Sequence, residues 1–381
     1  HHPDIYEGLY TTLKSIDGQE FNVLNGHEAT VRSMAFDNHS NTLYSAGGDG
    51  ALYKWLVGSA MKPDTFLIRN VMMNRNLAIS PDNKFLINVN DLPVLQFFEL
   101  KENGHDLKKQ IQNTSLVWHA EFTGDNSHFI TSDIDSSMLM WDVNSFENNA
   151  LDHMNSLIKV FEFSPDYQKL TGISNLGRVV IWDVENNYKP TAYIPVSEKN
   201  RIKLIDFEDF KNQEADKYSS RKYQFLVLDY SPDGKVLAMG DIEGNVLLWN
   251  TENMNLMNTL TGQSARITDI EFSDDGKFLA SSSTDGTIQL WITDDFNEQP
   301  IILKDHSSWV YSVAFSPDNK YLIAGCMDGK IKYWFTKSSY MAEMVCSKIN
   351  RNMTIEEWNT YVAEDIEYQK TCKDLPANVE N

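Results

Sequence analysis

The segment 260–291, LTGQSARITDIEFSDDGKFLASSSTDGTIQLW, recurs in outline six more times along the chain, and no other feature constrains the fold as strongly. It holds an apolar strand ending in an aromatic (Ile267 to Phe272), a tight turn (Ser273-Asp274-Asp275-Gly276) and a second strand (Phe278 to Ser282). A second turn at Thr284-Asp285-Gly286 leads to a third strand ending at Trp291, and a short apolar run such as Pro300 to Lys304 leads into the next copy. One unit therefore contains four short strands with turn residues at each reversal, the pattern of a propeller blade when it repeats at about forty residues.

The closing aromatics are Trp55, Phe97 or Phe98, Trp141, Trp182, Trp249, Trp291 and Trp334. With Phe97, successive gaps are 42, 44, 41, 67, 42 and 43 residues. The first turn recurs as Asp37-Asn38-His39-Ser40, Ser80-Pro81-Asp82-Asn83, Thr123-Gly124-Asp125-Asn126, Ser164-Pro165-Asp166-Tyr167, Ser231-Pro232-Asp233-Gly234, Ser273 to Gly276 and Ser316-Pro317-Asp318-Asn319. Pro fixes φ and Asp, Asn and Gly close the reversal. The expectation is an all-β chain, a seven-bladed β-propeller of four-stranded antiparallel blades with short N- and C-terminal helical extensions. The second copy, one residue shorter before Asp91 and without Trp, is the least regular.

At these residues the chain resembles the WD-repeat β-propeller family. Asp142 and Asp183 complete that family's Trp-Asp dipeptide, Gly26-His27 matches its Gly-His dipeptide, and the resemblance covers residues 21–335. It implies a buried hydrogen-bond device of His, Ser or Thr, turn Asp and closing Trp. His27, Ser45, Asp49 and Trp55 fit it; His306, Asp328 and Trp334 fit with Ala324 in the Ser place; Asp285 and Trp291 keep part of it behind Gln263. Glu243 and Leu176 stand where the fifth and fourth copies would have Asp. A His–Asp pair can also be a catalytic dyad, but inside a repeat a carboxylate and imidazole satisfying each other is the better reading.

Residues 3–17 place Ile5, Tyr6, Leu9, Tyr10, Leu13 and Ile16 at helical spacing, with Asp4 at the start and Gly18 past the end. Phe21 to Leu24 then reads as the outer strand of the last blade, closing the ring. The gap of 67 residues exceeds the usual 42 by 25, and the extra material lies in 196–223, an insertion between blades 4 and 5. That insertion is either a recognition element or a self-packed loop. After Trp334, residues 338–350 have helical spacing, and Thr354-Ile355-Glu356-Glu357 is a capping box, with Met353 and Trp358 placed as a hydrophobic staple. The expected organisation is a helical extension at 1–20, the propeller at 21–335 and a helical tail at 336–381.

The flanking segments resemble those around WD-repeat propellers in large bacterial signalling proteins of the STAND NTPase type. That resemblance implies a fragment of a longer chain, an extracytoplasmic side of a membrane-anchored protein in preference to the cytoplasm, and a possible Cys346–Cys372 disulfide; two unpaired thiols are the alternative. The absence of a starting Met agrees with a fragment.

The charge balance of 33 basic against 54 acidic residues gives −21, a field that disfavours nucleic-acid and anionic-membrane binding. No run of 18 or more apolar residues offers a direct membrane insertion by this segment. No phosphate loop, clustered metal ligands or nucleophile elbow occurs, so no catalytic residue, metal or cofactor is assigned. Three Asn-X-Ser/Thr sequons, at Asn38, Asn113 and Asn352, are what an Asn-rich chain produces by chance.

Inner strands begin at one rim of a propeller channel. Four residues before the aromatic or aliphatic anchors Phe36, Ile79, Phe122, Phe163, Tyr230, Phe272 and Phe315 stand Arg32, Arg75, Trp118, Lys159, Leu226, Thr268 and Tyr311; two earlier come Arg266 and Trp309 among others. Arg32, Arg75, Trp118, Lys159, Arg266, Trp309 and Tyr311 are therefore the candidate partner-binding residues on the top face, suited to a protein or peptide segment with acidic and apolar groups. The leading expectation is a non-enzymatic interaction or sensory scaffold in a larger bacterial signalling protein. The alternative is a channel-centred hydrolase or lyase, for which Asp229, Asp269 and His119 are the ionisable groups in view.

Overall fold

The computed structural model describes residues 3–18, 20–37, 39–58, 62–69, 73–101, 104–151, 157–194, 205–206, 224–253, 255–352, 354–361, 370 and 372–375. Its strands form seven antiparallel sheets, each with the inner strand of a copy at one edge. The inner strands are Val31–Phe36, Asn74–Ile79, Val117–Phe122, Ile158–Phe163, Phe225–Tyr230, Ile267–Phe272 and Val310–Phe315, numbered here as blades 1 to 7. Six sheets have four strands. In blade 4 a short strand, Ile205–Asp206, adds to the outer strand Lys189–Ile194, with Tyr193 opposite Ile205. The rest of the 196–223 insertion lies outside the described residues, and so does the Met353–Trp358 staple. In the seventh sheet Val23–Leu24 lies beside Ile331–Phe335.

The first turn of a blade is built the same way in blades 2 to 7. The leading hydroxyl donates to the Asp two residues on, from Ser80 to Asp82 at 2.8 Å, Thr123 to Asp125 at 2.6 Å and Ser273 to Asp275 at 2.9 Å, for example. That Asp takes the N–H two residues further along, as Lys84 shows at 3.2 Å. The fourth turn residue must then enter the left-handed region: Asn83 (φ 55°), Asn126 (59°), Tyr167 (57°), Gly234 (69°), Gly276 (67°) and Asn319 (54°). Gly and Asn tolerate this conformation, which explains their recurrence; Tyr167 is the bulky exception.

Register settles the second closing aromatic. Leu43 pairs with Trp55, Phe129 with Trp141 and Leu279 with Trp291, and the matching Leu86 pairs with Phe98. Phe98 packs with Tyr44, Ala46 and Leu52 of blade 1, whereas Phe97 turns the other way into the Phe122, Phe129 and Trp141 cluster of blade 3. Phe98, Trp141, Trp182, Trp249 and Trp291 thus each pack back onto the preceding blade. The core is a series of such inter-blade seams, as with Trp182 against Ile130 and Met138, and Trp249 against Ile173 and Val179. Burying one such ring contributes about 2–3 kcal/mol.

Residues 24–333 form one compact unit; residues 1–23 and 334–381 form a second. In the second, a helix over Pro3–Asp17 ends at Gly18 (φ 95°), whose N–H returns to the Lys14 carbonyl at 3.1 Å. Tyr6 donates to the Phe335 carbonyl at 2.7 Å, and Lys348, on the helix Ser338–Lys348, pairs with Asp17 at 2.9 Å. The helix Ile355–Tyr361 starts at a reciprocal capping box: the Thr354 N–H donates to Glu357 Oε2 at 2.8 Å and the Glu357 N–H to Thr354 Oγ1 at 3.1 Å. Cys346 and Cys372 are disulfide-bonded. Asn352 clasps the tail by taking the Cys372 N–H at 2.8 Å and donating to the Cys372 carbonyl at 2.9 Å and the Leu375 carbonyl at 3.0 Å. Two of the sequon asparagines, Asn113 and Asn352, are buried in such bonds.

Candidate functional site

The inner strands of all seven blades line one axial cavity of about 570 Å³. An inner strand is the edge of its sheet, so its outward N–H groups have no ladder partner and need another acceptor. The preceding blade supplies it. Ser33 Oγ accepts from Leu77 N–H at 3.0 Å, Asn76 Oδ1 from Ala120 at 3.0 Å and Asp269 Oδ2 from Val313 at 2.9 Å. One step deeper, Asp229 Oδ2 accepts from Phe272 at 2.6 Å and Glu271 Oε1 from Phe315 at 3.0 Å. These side chains are staples between blades.

At the mouth the structure brings Arg75, Trp118 and Lys159 together: the Arg75 guanidinium lies 4.5 Å from the Trp118 ring centre and the Lys159 ammonium 5.9 Å from it. Arg75 also pairs with Asp91, so its charge is balanced inside its own blade. Arg32 lines the cavity beside them, with a guanidinium contact to Met73 sulfur at 3.8 Å. Arg266 and Trp309 do not line the cavity; they form a second cluster with Tyr311, the guanidinium 6.0 Å from the Trp309 ring and the two aromatic centres 6.3 Å apart. Trp309 is 43% exposed, a large apolar surface to leave in water.

Besides Asp274 of the blade 6 turn, five inner-strand carboxyls lie below the mouth: Glu121, Glu162, Asp229, Asp269 and Glu271. Each is partly exposed to the lumen yet enclosed by channel wall. Burial pushes Glu121 up to about 8 and Asp269 to about 7. Asp229 also rises to about 7 by burial, against its N–H bonds and aided by the charges of Asp269 and Asp274. Glu162 and Glu271 are driven well above the usual carboxylate range by burial and then by the surrounding acids. His119, edge-on to Phe161 at 4.8 Å, is pushed down to about 4 by burial and stays neutral. Sequence reasoning found Asp229, Asp269 and His119 but missed Glu121, Glu162 and Glu271. Their signal was present: the residue just before the anchor reads Ala35, Ala78, Glu121, Glu162, Asp229, Glu271, Ala314, acidic in four successive blades.

The polar device inside blade 1 is complete. His27 Nδ1 lies 3.1 Å from Asp49 and its Nε2 2.8 Å from Ser45 Oγ, which accepts from Trp55 Nε1 at 2.7 Å. Burial alone would raise Asp49, but bonds from His27 and the N–H groups of Glu28 and Ala51 hold it at about 2. All of these groups are consumed by one another, as scaffolding requires. In blade 6 Gln263 donates to the Ser281 and Thr287 carbonyls at 3.1 and 3.0 Å and accepts from Ser281 Oγ at 2.8 Å, and Asp285 takes the Ser264 N–H at 2.7 Å. Ser281 thus spends its proton on Gln263, and among the described residues Trp291 Nε1 has no acceptor. In blade 7, with Ala324 in the Ser place, burial and then the charge of Lys332 take His306 down to about 4; Asp328 accepts from Ser307 at 3.4 Å and Lys330 N–H at 3.2 Å. Trp334 is fully buried. No cluster of metal ligands occurs among the described residues, and none of their helices is long and apolar enough to cross a membrane.

Comparison with known proteins agrees with this architecture. The chain is 20% identical over 265 residues to protein tipD of Dictyostelium discoideum, covering 62% of this chain and 42% of that protein. It is 27% identical over 246 residues to the target of rapamycin complex subunit wat1 of Schizosaccharomyces pombe, covering 58% and 77%. To human apoptotic protease-activating factor 1 it is 24% identical over 200 residues, 47% of this chain and only 16% of that protein. The chain spans less than half of tipD and a small part of the human protein. The family model described as WD domain, G-beta repeat matches residues 18–55, 254–291 and 297–334, so the chain carries WD repeats.

Proposed function

We propose that this chain is a non-enzymatic protein-interaction module that holds a partner segment across the channel mouth. The observation that carries the reading is the pair of cation–aromatic clusters, Arg75–Trp118–Lys159 and Arg266–Trp309–Tyr311, on a molecule whose net charge is −21. Arg and Trp anchors suit a segment with acidic and apolar side chains. One relative is by name a complex subunit, which supports a scaffold role. The narrower idea, the recognition end of a larger bacterial signalling protein outside the cytoplasm, has support only from the flanking segments, and the three relatives named above are eukaryotic. The test is affinity capture with wild-type chain against the Trp118→Ala and Trp309→Ala variants, each checked for an unchanged melting curve. Loss of the same captured protein from both variants supports the mouth; undiminished capture moves the site elsewhere.

The five lumen carboxyls favour one second reading, a channel-centred hydrolase or lyase, because raised acids can act as general acids near neutral pH. It requires turnover of an ester, glycoside or polyuronide that Glu162→Gln abolishes.

A further inference from the structure

The channel holds carboxyls that no cation among the described residues compensates. Asp229, Asp269 and Glu271 have a structural account, each accepting an N–H from the next blade. Glu121 and Glu162 sit at the same depth in adjacent blades; Glu121 takes the N–H of its own neighbour Phe122, and no bond to the next blade explains either. Among the described residues none of the five is in an ion pair with Lys, Arg or His, although Glu162 feels the charges of the other four. Two wall residues carry a second sign of an unmet contact. Ser312, 4% exposed, has an Oγ without a hydrogen bond, and so does the buried Nε2 of His119, while both residues line the same cavity. Unpartnered buried polar atoms beside uncompensated carboxyls are costly unless something polar enters to meet them.

The carboxyls are spread around the ring, and no three of the described acids and histidines converge as metal ligands do. An extended organic cation with several donors matches such a spread better than a compact ion. A cavity of about 570 Å³ has room for one long side chain. The mouth above it carries the opposite sign, with Arg32, Arg75 and Lys159 on the inner strands of blades 1, 2 and 4.

From this two-zone pattern we propose that the throat receives the guanidinium or ammonium tip of an arginine or lysine on the docked partner segment, with acidic residues flanking it on the partner to meet Arg32 and Lys159. The inference rests on the mouth being the docking face. Entry of the cation would draw Glu121, Glu162, Asp229, Asp269 and Glu271 into their charged forms, so binding at neutral pH releases protons to the buffer.

The experiment uses calorimetric titration of the whole chain with three probes: an acetylated Asp-Glu-Arg-Glu-Asp peptide, the same peptide with citrulline for arginine, and agmatine. The expected result is that the arginine peptide binds at least about tenfold more tightly than the citrulline peptide, with proton release seen as a buffer-dependent enthalpy. Glu162→Gln and Glu121→Gln, which replace a carboxyl by a neutral amide of the same shape and so should not unfold the ring, abolish that difference while leaving the citrulline peptide's affinity unchanged. Agmatine binding that is lost in Glu162→Gln, with both peptides inactive, keeps the throat site and removes the acidic-segment reading of the mouth. Equal affinity for the arginine and citrulline peptides together with no agmatine binding overturns the throat proposal, whatever the mouth does.

Discussion

Ser45 illustrates how much a single hydroxyl can hold. It links His27 to Trp55, and removing it leaves a buried imidazole nitrogen and an indole N–H without partners. Ser45→Ala is expected to cost about 2–4 kcal/mol, read as a lower urea midpoint with unchanged slope. Gly47 guards the same device, because a Cβ there would stand 2.3 Å from both Asp49 Oδ1 and His27 Nδ1. Gly47→Ala should cost about 2 kcal/mol, and a melting curve equal to wild type would show that the device gives way freely. The lumen acids make a pH prediction. Unfolded carboxyls titrate near 4, whereas Asp229 and Asp269 titrate at about 7 and Glu121 at about 8 in the fold, so the folded state binds more protons between these values. Their contribution is complete below the unfolded value and is lost as pH rises through the folded one. His119 and His306, at about 4, act in the opposite sense, but only below about 6.5. From about pH 6.5 to 8 only the acids act, and stability should fall with rising pH; Glu121→Gln should flatten that slope in urea unfolding at several pH values.

Turns and caps were the most legible elements, because their chemistry is local. Ser231-Pro232-Asp233-Gly234 and Thr354 to Glu357 specify geometry within four residues, and the hydrogen bonds follow the residues. Thr354→Ala should cost about 1 kcal/mol, measurable as earlier loss of amide protection in Ile355–Tyr361. What needed the third dimension was the neighbour. Phe97 and Phe98 are adjacent and both apolar, and only pairing with Leu86 tells which faces blade 1. Glu121 and Glu162 looked like ordinary alternating polar positions of a half-buried strand, because their channel-facing side is defined by the other blades. The rim residues were found by register, but their division into two clusters depends on side-chain directions that spacing does not encode.

At the scale of the whole molecule, blades and terminal segments form separate compact units, and the disulfide lies wholly within the smaller one. Its cysteines are 26 residues apart, which in the chain-entropy view stabilises their unit by about 3.5 kcal/mol. Reduction should therefore open the tail to limited proteolysis while the main thermal transition stays in place. The stitching around the hub has one further consequence. At four of the joints a side-chain acceptor on one copy takes a strand N–H of the next, and at the last of these Thr268 Oγ1 also donates forward to the Val310 carbonyl at 2.6 Å, so these copies carry their halves of a joint with them. A gene for such an array can gain or lose a whole copy by unequal crossing-over without inventing a new joint, and the circumference that must close, more than the bonding chemistry, is what sets the count.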